Sequence, residues 1–342
     1  MTPHQPSLYW VVGGGGLLGS RLRAAISRDV PGGKCWDPPV SKFSWNSPTQ
    51  LEEQLAECAS QFGQALRSNF QGCSWGILWT AGAGVIGTTE ELLNAETGAL
   101  KALLGVVHRH LNDVSLGAGL LFLSSSAGGV YGNCPDQTIT EDSECRPMSP
   151  YGANKRRQEE LLRNWAHDHP RVTCRIGRIS NLYGAGQNLF KPQGLISHIS
   201  KCVIWQQPIH VYVPLDTIRD YLHVDDCAAQ IANCITAWAG TGRKSAACWE
   251  GMVKIFASEE PASVAQIIGE FVRLPSRRHP RVICAPNALG LQQPRRLLFR
   301  SIAGPNVTGL RRTSLQVGID QVHRYQTRLY CEGRLAPPVA KA

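Results

Sequence analysis

The sequence predicts an α/β fold in which a doubly wound parallel sheet carries a smaller mixed α/β lobe on its C-terminal side. Two observations support this prediction. In the first half of the 342-residue chain, short apolar stretches alternate with longer helix-like stretches, the order expected of parallel strands joined by helices. After about residue 180 this rhythm gives way to turns and scattered elements. We therefore divide the chain into domains 1–180 and 181–342, with segments near 210–240 returning to the first domain.

The individual elements follow from apolar runs and their periodicity. Strands of the first domain are expected at 8–12 (LYWVV), 75–82 (WGILWTAG), 120–124 (LLFLS) and 172–179 (VTCRIGRI). The second lobe is expected to hold a strand at 210–213 and helices near 224–239 and 261–272. In open α/β sheets, ligands bind beyond the carboxyl ends of the strands, so the motifs that follow the strands are the functional candidates.

Composition limits the class of protein. With 43% hydrophobic and 18% charged residues, the chain can bury a full core. No apolar run approaches the roughly 20 residues that span a bilayer, and residues 1–7 lack the features of a signal peptide. The twelve cysteines are scattered singly, with no CxxC pair, which favours free thiols over a disulfide framework or a metal site. We expect a cytoplasmic protein without membrane contact and without a metal.

Positive charge is concentrated in one segment. Between Phe271 and Ile319 the chain has nine arginines and no acidic residue, whereas the remaining 26 Lys and Arg balance 26 Asp and Glu. Because no nucleic-acid-binding motif accompanies this segment, an anionic small ligand or plain surface charge is favoured over nucleic acid.

A glycine-rich turn follows the first strand in VVGGGGLLGS. The glycines match two spacings, GxGxxG from Gly14 and GxxGxxG from Gly13. Glycine permits a sharp turn and close approach of the backbone to a pyrophosphate, and the helix N-terminus then offers free N–H groups. The turn therefore predicts a dinucleotide site. The residues that we assign to it are Gly13, Gly16, Leu17, Leu18 and Gly19.

An acidic residue is expected about 20 positions after the glycines, where it would bind the adenosine ribose. Asp37 lies 18 residues after Gly19. A carboxylate there would repel a 2′-phosphate, so NAD is favoured over NADP. The alternative is a loop aspartate, because two prolines follow Asp37 and the second strand is poorly marked.

A tyrosine and a lysine stand four residues apart in SPYGANK, as Tyr151 and Lys155. This spacing on a helix places both side chains on one face. A free phenol is a poor base near neutral pH, and a nearby ammonium stabilises its phenolate form. Ser149 and Pro150 mark the start of the helix, which follows a strand that ends in serines.

With these motifs in order, the chain resembles the extended short-chain dehydrogenase/reductases, the nucleotide-sugar epimerase/dehydratase group, over nearly its whole length. The segments that carry the resemblance are GGGGLLGS, WTAG, LSSSAGGVYG, SPYGANK, RISNLYGAGQN, IRDYLHVDD and TSLQVGIDQVHRYQ. The resemblance implies a Rossmann-type domain that binds NAD, with Ala81 and Gly82 beside the cofactor.

For catalysis, the resemblance implies that Tyr151 is the acid/base and that Lys155 binds the nicotinamide ribose. A hydroxyl donor is commonly about 25 residues before the tyrosine, which selects Ser126. Counting back from VYG instead selects Ala127. Ser126 is the nearest hydroxyl on either count, and Ser125 is the reserve.

For the substrate, the resemblance implies a nucleotide-diphosphate sugar. Asn181 and Arg219 match residues near its phosphates, while Gly194, Leu195 and Tyr212 fall where the family lines the nucleotide pocket. Asn181 has the alternative of a simple turn residue. Arg219 has the alternative of a surface ion pair with Asp216 or Asp220.

The chain also departs from the family pattern. The asparagine of the helix after the WTAG strand has three candidate positions, Asn94, Ala95 and Glu96. In the basic segment, any of three arginines could reach a phosphate. They are Arg295, Arg296 and Arg300.

These expectations combine into an NAD-dependent nucleotide-sugar epimerase, which oxidises a C4 hydroxyl and re-reduces the keto-sugar. An NAD(P)H-dependent keto-sugar reductase is the nearest alternative, and a non-catalytic NAD(P)-binding regulator is a second. A 4,6-dehydratase is disfavoured because Ala127, Gly128 and Gly129 stand where it needs an acid and a base. The resemblance also implies a homodimer through helices near 95–111 and 152–167.

Overall fold

A six-stranded parallel sheet forms the centre of the protein. The computed structural model describes residues 6–188, 194–241, 251–274, 280–284, 293–304 and 312–338. The strand order is β2-β1-β3-β4-β5-β9, and every neighbouring pair is parallel. The strands are β1 (Ser7–Val12), β2 (Gly33–Cys35), β3 (Trp75–Trp79), β4 (Gly119–Ser126), β5 (Val172–Ile179) and β9 (Val253–Phe256). The predicted α/β fold with a doubly wound sheet is confirmed.

Helices cover both faces of this sheet. On one face, α2 (Pro48–Asn69), α3 (Glu90–Leu111) and α5 (Pro150–Asp168) pack on the apolar side chains of the strands. On the other face, α1 (Leu17–Asp29) and α7 (Val224–Thr241) form a second core. The carboxyl ends of the parallel strands therefore meet at one edge, where the glycine turn and the short helix α4 (Ala127–Val130) lie.

The smaller lobe contains two short sheets. In the three-stranded sheet, β8 (Ile218–His223) lies between β6 (Asn181–Tyr183), which is parallel to it, and β10 (Pro261–Ser263), which is antiparallel. A two-stranded parallel sheet and three helices enclose the core of the lobe. They are β7 (Ile209–Val211), β11 (Val282–Cys284), α6 (Leu195–Trp205), α8 (Val264–Arg273) and α9 (Leu315–Cys331).

Several boundaries differ from the sequence prediction. The helix expected at 261–272 begins only at Val264, because a capping box forms at Ser263. The Ser263 side chain accepts the Gln266 N–H, and the Gln266 side chain accepts the Ser263 N–H. The preceding residues form β10 instead. Strand β9 was not predicted, and it returns from the second half of the chain to pair with β5.

The described residues also bear on the expectations about membrane spans, cysteines and metal ligands. Among the described residues, no helix is long and apolar enough to cross a bilayer. The eleven cysteines within the described ranges are free thiols. In the same part of the chain, no group of three or more His, Cys, Asp or Glu side chains is arranged to hold a metal ion.

Candidate active site

The glycine turn joins β1 to α1 at the carboxyl edge of the sheet. Gly13 has a φ of +85°, and a Cβ there would lie 2.7 Å from the Ala81 backbone nitrogen. A Cβ on Gly19 would lie 2.2 Å from the Gly13 carbonyl oxygen, so α1 approaches the turn as only glycine allows. A Cβ on Gly15 would meet nothing within 4 Å.

This turn fits a dinucleotide. Gly16 is the N-cap of α1 and has no capping side chain, so the first N–H groups of the helix are available to a phosphate. Leu18 is buried in the core behind the turn and Leu17 is partly buried against it, which fixes the start of α1. The backbone of Ala81, at the end of β3, forms the adjacent wall.

Asp37 lies two residues beyond β2, with 84% of its side chain exposed. Its Oδ1 forms an ion pair with the Arg23 guanidinium of α1, and Arg23 also donates to the Trp36 carbonyl oxygen at 3.3 Å. The carboxylate therefore stands at the strand end that the sequence predicted, beside an arginine that the prediction did not include.

The three consecutive serines at the end of β4 point to different partners. Ser124 Oγ donates to the Trp79 carbonyl oxygen at 2.9 Å, and Ser125 Oγ donates to the buried Glu159 carboxylate at 2.6 Å. Ser126 Oγ accepts the Gly129 N–H at 3.1 Å and caps α4. Of the three, Ser126 is the one whose hydroxyl has no acceptor among the described contacts.

Gly129 brings Ser126 and Tyr151 together. A Cβ on Gly129 would lie 3.1 Å from Tyr151 Cε1 and 3.2 Å from Ser126 Oγ. In turn, a Cβ on Gly152 would lie 2.1 Å from the Gly129 carbonyl oxygen. The Tyr–Lys helix α5 therefore rests directly on the α4 backbone, through two glycines that the sequence analysis did not single out for this role.

Helix α5 begins where the sequence predicted. The Ser149 side chain accepts the Gly152 N–H at 3.1 Å, and Pro150 occupies the first turn. Tyr151 and Lys155 lie on one face, with the lysine Nζ 5.8 Å from the centroid of the tyrosine ring. The half-buried phenol and the ammonium are thus close neighbours at the carboxyl edge of the sheet.

Lys155 is held in place by two side chains. Its Nζ donates to Gln158 Oε1 at 3.2 Å and lies 3.7 Å from Glu96 Oε2, while only 7% of the residue is exposed. The position of a Cβ on Gly82 would be 3.5 Å from the same Nζ. The segment after β3, which includes Ala81 and Gly82, therefore borders the lysine directly.

A buried ion pair joins Glu159 of α5 to Arg178 of β5. The Glu159 carboxylate accepts hydrogen bonds from Arg178 Nε at 3.0 Å and Arg178 Nη2 at 2.6 Å, and both residues are at most 2% exposed. Burial by itself lowers the pKa of Arg178, but the hydrogen bonds and charge of Glu159 raise it above the usual value. Arg178 also donates to the Tyr131 hydroxyl, and burial raises the pKa of Tyr131 to about 12.

Asn181 and Arg219 lie on neighbouring strands of the smaller lobe. Asn181 is the first residue of β6 rather than a turn residue, and its Nδ2 donates to the Asp220 carbonyl oxygen at 3.0 Å. Arg219 lies on β8, and its Nη1 donates to the Ile218 carbonyl oxygen at 2.8 Å. Burial lowers the pKa of Arg219, an effect that Tyr221 opposes.

The two carboxylates that could have paired with Arg219 are engaged elsewhere. Asp216 binds Arg295 through two contacts, at 2.5 and 3.2 Å. The fully buried Asp220 accepts from Ser180 Oγ at 2.5 Å and from the Glu259 N–H at 2.7 Å. The described contacts therefore do not support the surface ion pair that was the alternative interpretation of Arg219.

The remaining predicted pocket residues lie around this lobe. Gly194 has a φ of +109° and precedes α6, which begins at Leu195. A Cβ on Gly194 would lie 2.4 Å from Gln187 Nε2. Tyr212 directly follows β7, and its ring is stacked near that of His210, with a centroid separation of 6.3 Å.

The basic segment is partly described. Arg295 is committed to Asp216, Arg296 forms a bridge with Ile218 next to Arg219, and Arg300 is exposed. Arg277, Arg278 and Arg311 lie outside the described residues. Of the three arginines predicted to reach a phosphate, Arg295 and Arg296 therefore lie beside the start of β8, where the Ile218 N–H donates to the Arg295 carbonyl oxygen at 2.8 Å.

Comparison with known proteins identifies the lineage of this site. The model of the NAD dependent epimerase/dehydratase family matches residues 9–243, which is more than half of the chain and includes the glycine turn, the serines and the Tyr–Lys helix. The chain belongs to the NAD-dependent epimerase/dehydratase family.

Individual family members match over shorter segments. A dTDP-L-rhamnose 4-epimerase of Burkholderia thailandensis is 29% identical over 136 residues, 38% of this chain and 37% of that protein. A dTDP-4-dehydro-6-deoxyglucose reductase of Escherichia coli is 32% identical over 110 residues, 32% of this chain and 34% of that protein. The matched segments thus span little more than a third of these curated relatives.

Solved structures of the epimerase/dehydratase fold match over nearly the full length. The structure of MoeE5 in complex with UDP-glucose and NAD has a TM-score of 0.65 and 20% identity, and the match covers 95% of this chain and 99% of that one. At this identity the likeness shows the fold alone.

The three candidate positions on α3 that the sequence left open have different contacts. Of Asn94, Ala95 and Glu96, it is Glu96 that contacts both Lys155 and the segment after β3. Asn94 instead accepts a hydrogen bond from Arg157 of α5, at 2.5 Å. These contacts depend on how α3 packs, which no spacing rule predicts for adjacent positions on one helix.

Proposed function

We propose that this protein is an NAD-dependent nucleotide-sugar epimerase that inverts a sugar carbon through a keto intermediate. The observation that carries the proposal is the cluster at the carboxyl edge of the sheet. Tyr151 adjoins Ser126 through Gly129, and Lys155 lies beside the tyrosine and the segment after β3. Bound NAD would take up a hydride from the sugar and return it, so that no net reductant is consumed.

In this mechanism Tyr151 moves the proton. Its phenolate form would accept the proton of the sugar C4 hydroxyl and return it after the sugar has turned in the pocket. The Lys155 ammonium, 5.8 Å from the ring centroid, stabilises the phenolate electrostatically. Ser126 would donate its hydroxyl hydrogen to the reacting oxygen, because its Oγ already accepts the Gly129 N–H and retains its own O–H.

The cofactor is proposed to be NAD, held by the glycine turn from Gly13 to Gly19, with Ala81 and Gly82 as the adjacent wall. The exposed Asp37 carboxylate would accept hydrogen bonds from the adenosine ribose. Arg23 beside it neutralises part of this charge, so the preference for NAD over NADP is expected to be moderate.

The substrate is proposed to be a nucleotide-diphosphate sugar. Arg219 offers a guanidinium that Asp216 and Asp220 leave uncompensated, and its planar fork suits a phosphate. Asn181 stands on the adjacent strand, paired with Tyr221. Gly194, Leu195 and Tyr212 are proposed to contact the nucleotide. We further propose a homodimer through the outer faces of α3 and α5, to be tested by light scattering.

A panel of nucleotide sugars tests the activity, with products resolved by chromatography. An epimerase converts a sugar into its epimer with no net formation of NADH. Tyr151→Phe is expected to lower kcat at least 100-fold because it removes the proton acceptor. Tyr330→Phe, a partly exposed tyrosine on α9, is the matched control and should leave kcat unchanged. Full activity of Tyr151→Phe would contradict the catalytic assignment.

A keto-sugar reductase is the second candidate, since one matched relative bears that name. It would consume NAD(P)H stoichiometrically with a 4-keto-sugar, whereas an epimerase would not. A dehydratase is less favoured. It needs carboxyl groups near Gly128 and Gly129, and Gly129 has little room, since even a Cβ would lie 3.1 Å from the Tyr151 ring.

A further inference from the structure

Glu96 is a carboxylate at the cofactor side of the proposed catalytic pair. Its Oε1 accepts the backbone N–H groups of Ala83, at 2.5 Å, and Gly84. Its Oε2 lies 3.7 Å from Lys155 Nζ, and the two side chains are 15% and 8% exposed. Both partners of Oε1 are donors, and Oε2 has no hydrogen-bond partner among the described residues. Glu96 thus links the segment after β3 to Lys155.

The pair Glu96–Lys155 is close to electrically neutral as a unit. The buried Glu159 of α5 and Arg178 of β5 compensate each other. Without Glu96, the Lys155 ammonium would be an uncompensated cation in a largely buried site. The distances of 3.7 Å from Glu96 to Lys155 Nζ and 5.8 Å from that Nζ to the Tyr151 ring centroid place the Glu96 carboxylate at most about 10 Å from the ring, where the hydride transfer is proposed.

The two redox forms of a nicotinamide cofactor differ by one charge on the ring, which is cationic in NAD⁺ and neutral in NADH. Their adenosine, pyrophosphate and ribose groups are identical, so contacts to those groups contribute equally to the binding of both forms. A nearby negative charge therefore strengthens NAD⁺ binding relative to NADH binding, and an uncompensated positive charge weakens it.

We propose that Glu96 is a positioning residue that holds Lys155, balances its charge, and biases the bound cofactor toward the oxidised form. This inference rests on the proposed function, because that function places the nicotinamide beside Tyr151. It also fits that function. An epimerase begins each turnover with the oxidised cofactor, and a reductase begins with the reduced one.

The test is the ratio of two dissociation constants, Kd for NAD⁺ divided by Kd for NADH, measured by titration of the full chain stripped of cofactor. Glu96→Gln keeps an oxygen that can accept from Ala83 and Gly84 but removes the charge. One charge at about 10 Å in a medium of effective dielectric 20–40 predicts that the ratio rises about four- to sixteenfold. A tenfold change corresponds to about 30 mV for a two-electron couple.

Lys155→Met supplies the opposite perturbation. It leaves the Glu96 carboxylate uncompensated and should lower the ratio, although it weakens both affinities through the lost ribose contact. Glu53→Gln is the control. Glu53 is an exposed glutamate on α2, so the substitution removes one solvent-screened negative charge and should leave the ratio within twofold of wild type. If Glu96→Gln does not fold, Lys155→Met still tests the sign.

Distinct results would overturn the two proposals. An unchanged ratio in Glu96→Gln, or equal loss of NAD⁺ and NADH affinity, would mean that Glu96 is only structural and would refute this inference alone. An unchanged or higher ratio in Lys155→Met would refute it equally. A wild-type protein that binds neither NAD⁺ nor NADH would refute the proposed function, and the inference with it.

Discussion

The buried ion pair between Glu159 and Arg178 gives the sharpest stability prediction. Arg178→Met removes a guanidinium that supplies two of the hydrogen bonds to the carboxylate, and leaves Glu159 fully buried with Ser125 at 2.6 Å and Arg156 at 3.4 Å. Breaking a buried pair by removing one partner typically costs about 3–5 kcal/mol, because the remaining charge loses its buried partner. Arg156, whose side chain is 32% exposed, compensates only part of the Glu159 charge.

The expected shift in Tm follows from the chain length. An unfolding entropy of about 2.1 cal/mol/K per residue, over 342 residues, gives about 0.7 kcal/mol/K. A loss of 3–5 kcal/mol therefore lowers Tm by about 4–7 °C, measurable by differential scanning calorimetry. The matched control is Arg324→Met on α9, where the guanidinium is 75% exposed and pairs with Asp320. Its Tm should be unchanged.

The double variant separates charge from packing. If the cost of Arg178→Met arises from the stranded carboxylate, then Glu159→Leu combined with Arg178→Met should recover part of the lost Tm. A Tm shift below about 1 °C for Arg178→Met, or a double variant whose loss is the sum of both single losses, would refute this reasoning.

Three further predictions concern helix contact, pH and thiols. Gly152→Ala should lower kcat about tenfold or more in a steady-state assay, because the added Cβ would lie 2.1 Å from the Gly129 carbonyl oxygen and would displace α5. A variant with the kcat of wild type would contradict the close packing of α5 on Gly129. Burial lowers the pKa of His323, so the folded state binds fewer protons and stability should fall as pH drops below about 6.5. His323→Asn should flatten that part of the Tm–pH curve, and an unaltered curve would exclude His323 as its cause. The exposed Cys284 and Cys331 should react with a thiol reagent before Cys58, because Cys58 is buried and burial raises the pKa of its thiol to about 11. Peptide mapping that finds Cys58 labelled first would contradict this order.

The sequence was sufficient for the central strands because their signals are local. Strands β1 and β3 are apolar on both faces, as strands in a sheet covered on two sides must be, and glycine or threonine follows each. Strand β9 was missed because it has only four residues and contains Lys254. That lysine is buried, and its Nζ donates to Ser301 Oγ at 2.9 Å and to the Ala303 carbonyl oxygen, partners almost 50 residues away.

The candidate site likewise combines local sequence signals with contacts between segments that are distant in sequence. Motif spacing selects Tyr151 and Lys155, since both belong to one helix turn. Spacing also selected Ser126, with Ser125 as the reserve. The structure adds that neighbouring residues of the strand face opposite sides, so that Ser125 donates to Glu159 while Ser126 lies beside Gly129, which adjoins the tyrosine ring. Glu96 was undecided for a related reason: its partners come from a loop and from another helix.

The distribution of buried charge differs between the two sides of the site. On the side proposed to bind the cofactor, Lys155 and Arg178 each have a carboxylate partner within the fold. On the side proposed to bind the substrate, burial lowers the pKa of Arg219, and Asp216 and Asp220 are engaged with other groups. The buried Arg219 guanidinium carries a desolvation penalty that binding of an anion would offset. Under the proposed function, a diphosphate substrate would supply that anion in each turnover, so UDP should raise Tm in wild type and markedly less in Arg219→Met. Equal stabilisation of both would place the diphosphate elsewhere in the lobe.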